Sequence, residues 1–201
     1  MKVLHQDPTP NPDAMKFVLE RQVLSAGSRS WRVGETSDMP LANALLAIEG
    51  VVSLFFVSNV VTLTKDPYVD WETVGAQAMQ AIEAAEASDV PEVSPRPAVS
   101  AISSPKADDP DESAYQADPD FFNKPESLQF EYVNDVLDRF VRPGLAADGG
   151  GLVLVELLGR VARIAYEGAC GSCPSAASGT LSFIEYVFRS RIHPDLIAEL
   201  V

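Results

Sequence analysis

The chain has 201 residues, enough for one large domain or two small ones, and its 46% hydrophobic content is ordinary for a globular protein. It is acidic throughout: 6 basic against 11 acidic residues over 1–87, 3 against 9 over 88–126, and 6 against 9 over 127–201. Counterion release on nucleic acid needs clustered Lys and Arg, which no segment supplies, so the composition argues against that partner. The opening Met-Lys-Val-Leu-His-Gln-Asp-Pro holds no apolar core of signal-peptide length, and no apolar run approaches the roughly 20 residues that cross a bilayer. The expectation is a soluble cytoplasmic protein that does not engage a membrane.

In chain order, Met15–Leu19 reads as a strand after the turn-rich Asp7-Pro-Thr-Pro-Asn-Pro-Asp13. Pro40–Ile48 suits a short helix, with proline in its first turn and Gly50 past its end. Val51–Val57 and Val60–Lys65 are β-branched and aromatic-rich, and flank Ser58-Asn59 as the arms of a hairpin flank its turn. From Trp71 to Ala87, Val74, Ala78, Ile82 and Ala85 recur at helical spacing. Nothing in this unit resembles a catalytic constellation, and His5 reads as part of a flexible terminus rather than as a ligand.

Between Ser88 and Glu126 the sequence is rich in Pro, Ser, Ala and acid: Pro91, Pro95, Pro97, Pro105, Pro110, Pro119 and Pro125 all fall here. Such a stretch cannot bury enough apolar area to offset its ordering entropy, and proline keeps it extended. It reads as a flexible linker; the alternative is a short partner-binding motif around Tyr115 or Phe121-Phe122. The predicted fold class is therefore α+β, with two small α/β-mixed domains, residues 1–87 and 127–201, joined by a linker over 88–126.

The second unit opens with a helix in which Phe130, Val133, Val136 or Leu137, and Phe140 recur every three or four residues until Pro143-Gly144. Ala146-Ala-Asp-Gly-Gly-Gly151 follows, then strands at Leu152–Leu158 and Val161–Tyr166 joined through Gly159-Arg160. Gly168–Cys173 is the next loop. A final helix is predicted from about Pro174 to Ile192, with Leu181, Ile184, Val187, Phe188 and Ile192 on its apolar side.

The loop carries the only two cysteines, Cys170 and Cys173, in Gly168-Ala-Cys-Gly-Ser-Cys-Pro174. This spacing lets both sulfurs address one atom, and in a reducing compartment it favours metal binding or redox chemistry over a structural disulfide. Pro174 suits the first turn of a helix, which places Cys173 near the N-cap, where partial positive charge favours thiolate. Gly168 and Gly171 allow a tight turn with amide N–H groups towards a bound anionic group. Structural zinc and iron–sulfur clusters each take about four protein ligands, and this chain offers two thiolates.

Several readings meet that shortage differently. A thioredoxin-like thiol–disulfide oxidoreductase has the look of Cys-Gly-Ser-Cys opening a helix, but its fold needs much of its sheet after the motif, and only 28 residues follow Cys173. A zinc-binding module uses two cysteines with His193, or four thiolates from two chains; His193 otherwise reads as a capping or surface residue. Two small buried cysteines with no ligand leave the flanking glycines without a purpose. An iron–sulfur cluster shared by two chains uses four thiolates, as a dimeric zinc site does, so the count favours a shared site without naming the metal.

Arg142-Pro-Gly-Leu-Ala-Ala-Asp-Gly-Gly150, two strands, then Glu167-Gly-Ala-Cys-Gly-Ser-Cys-Pro-Ser175 and a helix resemble the C-terminal domain of NifU, found in the Nfu family of iron–sulfur scaffold and carrier proteins. Thr9-Pro-Asn-Pro-Asp-Ala-Met-Lys-Phe17, Pro40-Leu-Ala, Gly50-Val-Val, Phe55-Phe56 and Val61-Thr-Leu-Thr-Lys65 resemble the domain that precedes it in many Nfu proteins. The resemblance implies a non-enzymatic assembly role: a [4Fe–4S] cluster held between two protomers of a homodimer, with Cys170 and Cys173 as ligands in each chain. It further implies delivery to apo iron–sulfur client proteins, supply from upstream cluster assembly proteins, and an N-terminal domain that recognises clients or partners. One departure stands out: the family often has an acidic residue after Asp-Gly-Gly, and this chain has Gly151.

Overall fold

A computed structural model describes residues 1–85, 115–171 and 179–201. The predicted linker up to residue 114 lies outside them. The first domain contains β1 (Val3–Pro8), β2 (Ala14–Leu19), β3 (Ser28–Arg32), α1 (Pro40–Leu46), β4 (Val51–Val57), β5 (Val60–Lys65) and α2 (Trp71–Ala84). Its strands form one antiparallel sheet in the order β1-β2-β5-β4-β3. The hairpin falls where the sequence places it. Ser58 takes a left-handed φ of 51°, and its carbonyl accepts from the amides of Val23 and Leu24.

Strand side chains alternate between faces, so residues of one parity share one side. Leu54, Phe56, Val61, Leu63, Phe17 and Leu19 meet Leu41, Leu45, Val74, Ala78 and Ile82 of the two helices in one core. The opposite parity places Phe55 and Thr62 on the other side, yet both are also buried. β4 and β5 are thus covered on both faces, which accounts for their nearly continuous apolar and β-branched sequences.

Two strands escape a reading based on periodicity. β1, where His5 sits, is mostly exposed, and β3 buries only Trp31, which meets Phe56 edge-on with ring centroids 5.1 Å apart. Both lie at the edges of the sheet, where main-chain pairing defines a strand that has little apolar pattern. His5 is therefore part of a paired strand rather than a loose terminus.

The second domain starts earlier than the linker reading allows. Tyr115 stacks on Tyr132 and meets Phe140 edge-on, and Phe121, in a 3₁₀ turn over Phe121–Asn123, is 1% exposed within the core. The amide of Asp118 donates to the carbonyl of Ile192 at 2.8 Å. The aromatic residues at 115 and 121 thus belong to the domain's packing, which corrects both the end of the linker and the alternative of a free partner-binding motif at those residues. Pro119 and Pro125 raised the local proline count without preventing the aromatics between them from being buried.

From there run α3 (Glu126–Phe140), α4 (Arg142–Ala147), β6 (Gly150–Leu158), β7 (Val161–Gly168), α5 (Leu181–Arg191) and β8 (Ile197–Leu200). Pro143-Gly144 does not simply end the first helix. Pro143 occupies the first turn of α4, where its missing N–H leaves no bond unmade. The sheet order is β6-β7-β8, with β7 antiparallel to β6 and parallel to β8. β8 has no counterpart in the sequence reading because only Ala198 of its four residues is buried. The predicted helix start at Pro174 lies outside the described residues; α5 follows a wide turn at Gly179-Thr180 and buries Ile184, Val187 and Phe188. Among the described residues, no helix is long and apolar enough to cross a membrane.

Burial of Phe121 gives the first prediction. Phe121→Ala should destabilise the second domain by about 3–5 kcal/mol, the usual cost of emptying a packed phenylalanine site. Urea unfolding followed by tyrosine fluorescence would register it, whereas a linker phenylalanine would leave the transition in place.

Candidate metal centre

The site is assembled from the middle of the second domain outwards. Arg142 ties three elements together: its Nε donates to the carbonyl of Leu152 at 3.0 Å, its Nη1 to Asp138 Oδ1 at 2.6 Å, and its Nη2 to Asn134 Oδ1 at 2.9 Å. Charge-assisted bonds of this kind are the stronger ones, and here they fix α4 between α3 and β6. The chain leaves α4 through Asp148 and turns at Gly149, whose φ is +78°. It enters β6 with Gly150 directly opposite Gly168 of β7.

That pairing brings the cysteine loop back over the start of β6. The amide of Ala169 donates to the carbonyl of Gly149 at 3.1 Å, and the amide of Gly171 to that of Gly168 at 3.0 Å. Cys170 is 9% exposed, at the edge of the second core. A Cβ on Gly150 would lie 2.9 Å from the Cys170 amide nitrogen and would run into its Sγ. The glycine pair of Asp148-Gly149-Gly150 therefore acts as a seat for the cysteine, where sequence reading could only note the motif. Tyr166 stands nearby on β7; burial pushes its phenol up to about 12, and a neighbouring Cys170 thiolate pushes the same way. The phenol stays uncharged at neutral pH.

Cys173 lies outside the described residues. Among those described, no three His, Cys, Asp or Glu side chains gather in a way that could hold a metal ion. His193 follows the far end of α5, which is about 16 Å long at 1.5 Å per residue. There its ring packs on Phe122 at 4.5 Å between centroids, and its Nδ1 accepts from the Asp195 amide. His5 contacts Asp7 on β1. Neither histidine meets the cysteine loop among the described residues.

The first domain reaches the site through residues that sequence reading did not single out. Asn11 is 2% exposed, and its Nδ2 donates to the carbonyl of Ala169 at 3.1 Å, one residue before Cys170. Ser30 Oγ donates to Glu167 Oε1 at 2.7 Å. The only sequence signal was that Asn11 and Glu167 lie within the two runs that carry the family resemblance.

Comparison with known proteins finds a family match for each domain. Residues 4–89 match a family model described as "Scaffold protein Nfu/NifU N terminal", and residues 133–198 match one described as "NifU-like domain". The chain belongs to the Nfu family. A Drosophila persimilis protein named "NFU1 iron-sulfur cluster scaffold homolog, mitochondrial" is 28% identical over 173 residues, covering 84% of this chain and 54% of the relative. The Drosophila erecta protein of the same name is 29% identical over 175 residues, with the same two coverages. The chain spans about half the length of these Nfu relatives. Among solved structures, an X-ray structure of a Staphylococcus aureus protein is 28% identical, covers 41% of this chain and 99% of its own, and superposes with a TM-score of 0.39.

The seat can be tested directly. Gly150→Ala should expel Cys170 from its buried position and speed its alkylation by about tenfold, as a local opening of about 1.4 kcal/mol would. Mass spectrometry of iodoacetamide-treated protein in a Cys173→Ser background measures this, with circular dichroism as the check that the fold persists. An unchanged rate would remove the seat from the argument.

Proposed function

We propose that this chain is an iron–sulfur cluster scaffold and carrier, not an enzyme, whose cargo is a [4Fe–4S] cluster bridged between two copies through Cys170 and Cys173. The observation that carries the reading is the seat itself. Cys170 is held on Gly150 at the head of a Cys-Gly-Ser-Cys loop, in a chain with no further cysteine. Two thiolates are half of what a cluster takes, and a second copy supplies the other half. The names of the Drosophila relatives, which call them iron–sulfur cluster scaffold homologs, support the same role.

The chemistry is ligand exchange. A cluster held by short loops at a symmetric interface is exposed to incoming thiolates, and separation of the protomers halves its protein ligands. A client apo-protein that offers its own cysteines takes the cargo by stepwise replacement, and an upstream assembly protein loads it by the reverse steps. The N-terminal domain, which has no cysteine, serves recognition of clients or partners. A reducing compartment such as the cytoplasm keeps both sulfurs in the thiol state this exchange requires.

Anaerobic reconstitution with iron and sulfide, read by native mass spectrometry, is the deciding experiment. The expected product is a dimer with four iron and four sulfide, from an apo-protein that is monomeric. Cys170→Ser and Cys173→Ser should each abolish uptake and leave the circular dichroism spectrum intact. A monomer that takes up no iron would overturn the reading; a colourless zinc adduct or insulin reduction would favour the zinc module or the thiol oxidoreductase. Transfer from a covalently locked dimer should be slower than from a free one, and equal rates would remove protomer separation from the mechanism.

A further inference from the structure

One row of side chains crosses the face of the first sheet that its own helices do not cover. The register aligns Lys16 with Thr62, Thr62 with Phe55, and Phe55 with Ser30, across β2, β5, β4 and β3. Every member of this row touches the second domain around the cysteine loop. Lys16 Nζ donates to the carbonyl of Ala147 at 2.9 Å, at the C-terminal end of α4. Thr62 abuts Gly149, and a Cβ there would stand 3.0 Å from its hydroxyl. The Phe55 ring lies against Gly151 and Gly168, with no room for a Cβ on either: it would come within 2.8 Å of the ring on the first and 2.7 Å on the second. Ser30 and Ser28 both donate to the carboxylate of Glu167, at 2.7 and 3.3 Å.

A second contact reaches closer to the sulfur. The loop Thr9–Asp13 is braced from behind: Lys65, 7% exposed, pairs with Asp13 at 2.9 Å, and the Trp71 indole donates to the carbonyl of Pro12 at 3.0 Å. The brace aims Asn11 at the carbonyl of Ala169. Gly151 stands where the family often has an acidic residue, and in this chain its bare backbone lies against the Phe55 ring. A carboxylate side chain there would meet the Phe55 ring, and glycine admits it.

We propose that the N-terminal domain is a latch for the chain's own cysteine loop: its Lys16–Thr62–Phe55–Ser30 face docks on the rim of the loop, with Asn11 holding Ala169, and releases to expose Cys170. The closure is poised to open. Burial of Phe55 favours it, whereas the hydroxyl of Thr62, which abuts Gly149, is buried with no hydrogen-bond partner among the described residues, a standing cost of the closed state. The polar contacts at its margin exchange readily for water. Docking needs only the apo chain; that opening lets a second copy meet the loop rests on the scaffold reading above.

The test uses the full apo chain, so that it succeeds or fails independently of cluster binding. Ser30 is exposed on an edge strand, so Ser30→Asp leaves the first domain's core untouched and sets a second carboxylate against Glu167. The expected result is a larger radius of gyration by small-angle X-ray scattering, with alkylation of Cys170 faster by about tenfold. Adding Glu167→Lys should turn the repulsion into an ion pair and restore both values, whereas Glu167→Lys alone should not reproduce the opening. Gly151→Glu should open the chain as Ser30→Asp does, by removing the space for Phe55. Unchanged scattering and alkylation in Ser30→Asp and Gly151→Glu would overturn the latch. So would a wild-type radius that falls on dilution, which would place the docking between chains.

Discussion

The β6–β7 hairpin closes with no side chain between Gly150 and Gly168, and the geometry of the site depends on that gap. A Cβ on Gly150 would occupy the volume of the Cys170 sulfur, and one on Gly168 would strike both the carbonyl of Gly149 and the Phe55 ring. The constraint reaches backwards along the chain. Gly150 can start a strand opposite Gly168 only if α4 ends where it does, and α4 is fixed by the Arg142 fork on Asp138, Asn134 and Leu152. An arginine eight residues before the start of β6 therefore helps to place a sulfur twenty residues after that start, through hydrogen bonds and the absence of methyl groups.

The second domain is built for placing a loop more than for enclosing a ligand. Its core of Phe121, Val133, Leu137, Ile164, Ile184 and Phe188 lies between the helices and the sheet, and Cys170 sits at its edge. The proposed hand-over of a cluster calls for a site of this kind, at the rim of a domain. The first domain covers that rim with a sheet face whose middle is an aromatic ring and whose margins are a lysine and two serines.

Much of this was legible beforehand, and the failures share a cause. Elements that bury a periodic apolar side were found, among them the β4–β5 hairpin, α2 and the apolar positions of α5. Edge elements were missed, because β1, β3 and β8 are held by main-chain bonds that leave little mark on composition. Proline density concealed the buried Phe121. At the site, Cys170 and the Asp-Gly-Gly run announced themselves through their chemistry and rarity. Asn11, Phe55 and Glu167 did not, since their roles arise from proximity between residues more than a hundred positions apart, or nearly so, in the chain. The unbroken apolar run Leu54-Phe55-Phe56-Val57 in β4 held a hint: with an aromatic residue on each parity buried, both sides of the strand are covered, and only one cover lay in the first domain's own helices.

The fit of Phe55 against Gly151 and Gly168 bears on how such a chain can vary over time. Two modules that match separate family models are free, in principle, to be inherited, exchanged or lost one without the other. A ring on one that needs the bare backbone of the other ties their histories together. A side chain acquired at position 151 would meet the Phe55 ring in the docked arrangement of this chain, so a substitution at either position is felt at the other. A chimera that joins either half to a stranger inherits an aromatic ring or a glycine strip with no counterpart.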